Sequence, residues 1–101
     1  MNQVTIRRAN RSDATRLAEL YVRFLGEYGH TSTLASVTLF LERMLGEPWV
    51  LFFVAEDSES SVIGFVGCTR TYSSVFQAHA LNINDLFVSG PMRGRGIGTD
   101  L

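Results

Sequence analysis

Apolar positions recur along this chain at three spacings, and each change of spacing marks a new element. Gln3 to Arg8 alternates apolar and polar residues, with Val4 and Ile6 on one face, which predicts a half-buried strand. Asn10 or Ser12 then offers a helix cap, with Asp13 in the first turn, where the helix dipole favours negative charge. Ala14, Leu17, Ala18, Tyr21, Phe24, Leu25 and Tyr28 follow at the three-four spacing of one helical face. Gly29 stands where a left-handed residue would close that helix. A second cap at Ser32 or Thr33 precedes Leu34, Val37, Leu41, Met44 and Leu45 on one face, with Gly46 closing. After Glu47-Pro48 the helical period disappears. Trp49 to Ala55 is a continuous apolar run of strand length, the pattern of a strand covered on both faces. A polar turn at 57–61 leads into a returning strand from Val62 to Arg70, where Gly64 and Gly67 predict a bulge or a close backbone approach. Ser73 to Ala80 reads as a loop and Leu81 to Val88 as the next strand.

The predicted order is therefore β-α-α-β-β-β, with a further helix just beginning: a mixed α/β (α+β) arrangement in a single domain, 1–101. No repeat, low-complexity tract or interdomain linker interrupts it. A chain of this length supports a modest core that buries roughly two-thirds of its unfolded surface. A hydrophobic fraction of 46% with 19% charged residues is the composition of a soluble globular chain. A formal net charge of −1 supplies no bulk electrostatic case for nucleic acid or a membrane, and neither is expected as a partner. The longest apolar run is too short to span a bilayer. Met1-Asn2-Gln3-Val4 lacks a charged start followed by an apolar stretch, so no signal peptide is expected. Cys68 is the only cysteine, which excludes an internal disulfide and fits a reducing, cytoplasmic setting. It is expected to serve as a small core residue. His30 and His79 lack metal-ligand spacing, and no metal is expected.

The chemistry is concentrated at the end of the chain. Leu86-Phe87-Val88 leads through Ser89-Gly90-Pro91-Met92 into Arg93-Gly94-Arg95-Gly96-Ile97-Gly98-Thr99, with glycine at every second position. Missing Cβ atoms let successive N–H groups turn toward one point, and a helix start adds its own free donors, so the stretch suits a phosphate-type anion. Arg93 and Arg95 add forked, charge-assisted donors. The chain contains no lysine, which excludes a P-loop. A dinucleotide fingerprint would need glycine at 99 or 101, where Thr99 and Leu101 stand. An arginine-glycine RNA-binding segment would need many repeats and little flanking strand.

Strand, proline and then R-x-x-G-x-G, met by Arg93, Gly96 and Gly98, together resemble the pyrophosphate-binding segment of the GNAT superfamily of N-acetyltransferases. The run Ile83-Asn84-Asp85-Leu86-Phe87-Val88 looks like the strand before that loop in the diamine acetyltransferase-like branch. The resemblance is specific over 81–101 and general over 3–72. It implies a mainly antiparallel sheet flanked by helices, with acetyl-CoA as co-substrate and a small-molecule or peptide amine as acceptor. It further implies direct attack in a ternary complex. Main-chain groups of Leu86, Phe87 and Val88 would meet the pantetheine arm and the thioester oxygen. Arg93, Gly94, Arg95, Gly96, Ile97, Gly98 and Thr99 would hold the pyrophosphate.

A complete domain of that family is longer, so this span is expected to be its N-terminal two-thirds, truncated after the start of the third helix. The later segment usually supplies a tyrosine acid, a position that Tyr21, Tyr28 and Tyr72 cannot occupy. The catalytic base is not identified. Where the diamine branch has a glutamate this chain has Asn84, which can orient a water, and Asp85 is the nearest carboxylate. Glu27 and Tyr28, at the end of the first helix, are candidate acceptor contacts. Trp49 and Phe76 are read as core or loop packing. A strand at 81–88 left as an apolar edge predicts self-association, most simply a homodimer. Alternatives are a non-catalytic relative that binds CoA or phosphate, and an interaction module that uses the strand edge.

Overall fold

The computed structural model describes residues 3–94 and 96–101. Its strands are β1 (Thr5–Arg8), β2 (Val50–Glu56), β3 (Val62–Ser73) and β4 (Ala78–Val88), and its helices are α1 (Ala14–Glu27), α2 (Leu34–Leu45) and α3 (Ile97–Asp100). The strands form one antiparallel sheet in the order β1-β2-β3-β4, so β4 is an edge among the described residues. The mixed α/β architecture expected from the hydrophobic pattern is the one observed.

Local chemistry explains most of the boundaries. The Asn10 side chain accepts from the Ser12 N–H, and Asp13 accepts from the Asn10 N–H, a reciprocal capping box on a short 3₁₀ turn that feeds α1. Gly29 follows α1 with φ +80°, the left-handed stop that glycine adopts at little cost. Thr33 caps α2 through the Ser36 N–H at 3.1 Å. Gly46 ends α2 in ordinary right-handed geometry, so its closure owes nothing to glycine's left-handed freedom.

One face of the sheet meets α1 and α2. Leu17, Ala18, Tyr21 and Phe24 pack with Val37 and Leu41 over Phe52, Val54, Phe65 and Phe87. Leu20, absent from the predicted face, is also fully buried, because α1 packs against α2 as well as the sheet and its apolar stripe is correspondingly wide. Tyr28 and Leu34, assigned to apolar faces, stand at the exposed ends of their helices. The opposite face carries Leu51, Val66 and Cys68, and beside them Ala55 and Ile63 pack with Ile97 of α3. Cys68 is buried there, and burial pushes its thiol above the usual range, as befits a packing residue.

Three readings need correction. The loop expected at 73–80 is a tight turn at 74–77, because β3 runs on to Ser73 and β4 begins at Ala78. Gln77 turns the chain with φ +51° while the Phe76 N–H is held by Ser73 Oγ. Phe76 is 81% exposed at that tip, and Trp49, which precedes β2, is 48% exposed. Neither belongs to the core, since hydrophobicity alone does not reveal which end of an element projects past its neighbours. Asp13, assigned to a helix dipole, is instead buried beneath the Arg7 guanidinium at 2.7 and 2.8 Å.

Candidate active site

The β3–β4 ladder breaks once. Gly67 pairs with Asp85 and Cys68 with Ile83, so Asn84 is an extra residue on β4. A bulge bends its strand and turns side chains off the regular alternation. Here it presents Asp85 to the α1 side of the sheet, opposite Gly67. A Cβ on Gly67 would lie 2.9 Å from the Phe52 ring and 3.5 Å from Asp85 Oδ2, which is why glycine stands there. The close approach expected at Gly67 is therefore by side chains, the Phe52 ring and the Asp85 carboxylate.

Asp85 and Tyr21, which reaches in from α1, line the same cavity. Burial raises the Asp85 carboxyl above its ordinary range, and the Tyr21 hydroxyl opposes that rise. Burial first, and then the Asp85 charge, push the Tyr21 phenol up to about 12, so at neutral pH it remains a donor. Asn84 projects beside them, its carbonyl oxygen accepting from Asn82 Nδ2 at 2.9 Å. Two cavities flank this pair. One of about 380 Å³ is lined by Phe24, Leu25, Tyr28, His30, Asn84, Asp85 and Leu86. The other, about 210 Å³, lies between Tyr21, Phe40, Trp49, Phe52 and Asp85. Tyr21, Phe40 and Trp49 line a cavity with Asp85, a placement that hydrophobic spacing did not reveal. The available signal was Tyr21 itself, a phenol within an aliphatic face, since a buried hydroxyl needs a partner.

The glycine loop forms a third cavity of about 430 Å³, lined by Leu86, Val88, Met92, Arg93, Gly94, Gly96, Ile97, Gly98 and Thr99. Gly94 and Gly96 hold φ +85° and +77°, conformations that L side chains rarely adopt. Among the described backbone hydrogen bonds outside helices and strands, none is donated by Gly94 or Gly96, whereas the Arg93 N–H is committed to the Gly90 carbonyl. The lining holds no carboxylate among the described residues. Left-handed glycines, an apolar wall and no opposing negative charge among the described residues fit a diphosphate ester. Arg95, expected in the same role, lies outside the described residues.

Arg93 is placed differently from the expectation of a phosphate fork. Its Nη2 meets the two Glu27 carboxylate oxygens at 2.7 and 2.9 Å, its Nε donates to the Val88 carbonyl at 2.8 Å, and the guanidinium lies 5.1 Å from the Phe87 ring centre. Glu27 and the Val88 carbonyl each accept from Arg93, so both meet the loop arginine in this structure. Phe87 contributes its buried ring to the core, while Leu86 stands exposed between two of the cavities.

Against this geometry the comparisons are specific. The family profile described as the acetyltransferase (GNAT) family matches residues 14–101. The uncharacterized N-acetyltransferase YhfO of Bacillus subtilis (strain 168) is 33% identical over 95 residues, covering 94% of this chain and 63% of that protein. A solved "probable acetyltransferase" superposes with TM-score 0.87 at 26% identity, over 96% of this chain and 65% of that one. A "predicted acetyltransferase with acetyl-CoA" from Clostridium acetobutylicum shares the fold, with TM-score 0.75 at 17% identity, over 97% of this chain and 68% of that one. The chain thus spans a little under two-thirds of the length of YhfO. No described helix is long and apolar enough to cross a membrane. A bulged strand, a left-handed glycine loop and a matching family profile agree: the chain belongs to the GNAT family of acetyltransferases.

Proposed function

We propose that the chain forms the cofactor-loop and acceptor half of an N-acetyltransferase that moves an acetyl group from acetyl-CoA to an amine by direct attack. The observation that carries this is the glycine loop before α3, whose left-handed Gly94 and Gly96 and carboxylate-free lining among the described residues suit the pyrophosphate of acetyl-CoA. Amides of Gly94, Gly96, Ile97, Gly98 and Thr99 hold the anion in this reading, and Leu86 flanks the path of the pantetheine arm. Co-substrate binding supplies the activated thioester.

The acceptor enters as an ammonium and must lose a proton before its lone pair can attack. Asp85 takes that proton, directly or through a water, and Asn84 orients the nitrogen or that water. A C–N bond then forms at the thioester carbon, the C–S bond breaks, and the sulfur leaves with the electron pair. The bulge at Asn84 turns β4 main-chain groups off the regular ladder, where an N–H can meet the oxygen that gains charge. Because 83–88 also resembles the diamine acetyltransferase-like branch, diamines belong in the acceptor panel. Homodimerisation through the β4 edge and a cytoplasmic location remain parts of the same proposal.

Calorimetry with acetyl-CoA tests the central claim. Saturable binding that free phosphate or pyrophosphate weakens by competition is the expected result. Absence of any binding would remove the basis for the assignment.

A further inference from the structure

The chamber beside Asp85 specifies the kind of amine, on the reading that this chain acetylates one. We infer that the acceptor is a small primary amine bearing a single ammonium and an apolar, preferably aromatic, substituent. The chamber has a volume of about 210 Å³ and lies between the helical layer and the sheet. Its walls are the rings of Tyr21, Phe40, Trp49 and Phe52 with the thioether of Met44, and Thr69 and Asn84 add neutral polar groups. Its depth exists because residue 67 is glycine: a Cβ there would crowd the Phe52 ring and approach the carboxylate.

Asp85 is the only charged group in that lining among the described residues. Glu47, outside the lining, accepts the Trp49 indole N–H at 3.1 Å. One carboxylate therefore meets one ammonium. A carboxylate offers about four acceptor sites, and none of the described hydrogen bonds occupies those of Asp85, so room remains for an N–H donor. The aromatic faces attract the same cation and bury the rest of the molecule. A second ammonium would be desolvated against apolar walls with no carboxylate to meet it. Spermidine-like polyamines and aminoglycosides are thereby excluded. The volume lies below the usual range of ligand sites, roughly 300–1,000 Å³, which also excludes a folded peptide segment.

Trp49 is the only tryptophan of the chain, so its fluorescence reports on this chamber alone. Titration of the whole chain with 2-phenylethylammonium is expected to give a saturable change. The neutral isostere 2-phenylethanol and spermidine should each bind roughly tenfold more weakly or worse. Asp85→Asn should weaken the ammonium by about tenfold while leaving the alcohol unchanged. Phe40→Ala, at a half-exposed position, should weaken it by about threefold. If Asp85→Asn fails to give the wild-type far-UV spectrum, the ammonium–alcohol pair and Phe40→Ala decide the matter. Equal affinity for the alcohol, tighter binding of spermidine, or no saturation with the ammonium would overturn the inference. Acetyl-CoA calorimetry on the same sample keeps the two claims apart. Amine binding without acetyl-CoA binding removes the acetyl-transfer reading and leaves an ammonium site. Acetyl-CoA binding without amine saturation removes only the acceptor class.

Discussion

Asp13 is 1% exposed yet charged, and the Arg7 fork is what holds that charge in place. Arg7 brings its carboxyl down to about 2 from an ordinary 3.8, with burial opposing and the Asn10 N–H assisting. Because the folded value is depressed, the stabilisation is complete above about pH 4 and is lost as pH falls toward 2. Its size at neutral pH is about 2 kcal/mol. Thermal melts of Asp13→Asn should therefore lie below wild type at pH 7 and converge on it near pH 2. Parallel curves across that window would show that the ion pair is not the source. Tyr21 acts in the same direction on Asp85, although there burial wins. Its hydroxyl lowers a carboxyl that burial raises, so Tyr21→Phe should move the acidic limb of kcat/KM to higher pH. An unmoved limb would remove Asp85 from the proton pathway. Their juxtaposition was not legible from spacing, since Tyr21 and Asp85 are far apart in the chain and share a cavity only after α1 docks.

At the scale of elements, the phosphate loop is tied to α1 by Arg93 and Glu27. That pair is half-exposed, so its worth to stability is small, within about 0.5 kcal/mol. Its effect on the site has a decisive sign. If Arg93 acts by positioning the loop, Glu27→Ala loosens it and weakens acetyl-CoA binding by about threefold, with the melting temperature nearly unchanged. If Arg93 acts as a phosphate donor, freeing it from Glu27 tightens binding instead. Gly98→Ala separates loop chemistry from folding in another way. A Cβ there would meet Val88 at 3.7 Å, an ordinary contact, so stability should hold or rise by about 0.5 kcal/mol. A methyl in the lining should nonetheless weaken acetyl-CoA by roughly tenfold, as calorimetry would show. The loop itself was readable in advance, because glycine spacing encodes backbone freedom directly. The destination of the Arg93 side chain was not, since a forked donor accepts a carboxylate as readily as a phosphate.

The whole molecule measures 42 × 32 × 27 Å with a radius of gyration of 14.1 Å, slightly beyond the ~13 Å typical of this length. The excess matches the β3–β4 hairpin, which carries Tyr72, Val75 and Phe76 into solvent. Leu81, Ile83 and Leu86 add exposed apolar surface along β4, whose outer edge is unpaired among the described residues. Such an edge is a template for another strand. Sedimentation velocity should therefore give a mass that rises with concentration, and Ile83→Lys should suppress the rise. A monomer mass constant over the accessible range would reject edge pairing.

Periodicity by itself determined the order of elements, the two amphipathic helices, the doubly covered β2 and the glycine loop, because each depends on residues close together in the chain. Only the tertiary structure decided that Asn84 forms a bulge, that Asp85 shares a cavity with Tyr21, that Arg93 turns to Glu27, and that Trp49 lines a chamber. These depend on register between strands and on the docking of α1 and α2, where one residue of slip or a few ångströms of reach reassigns a side chain, and no local spacing carries that information.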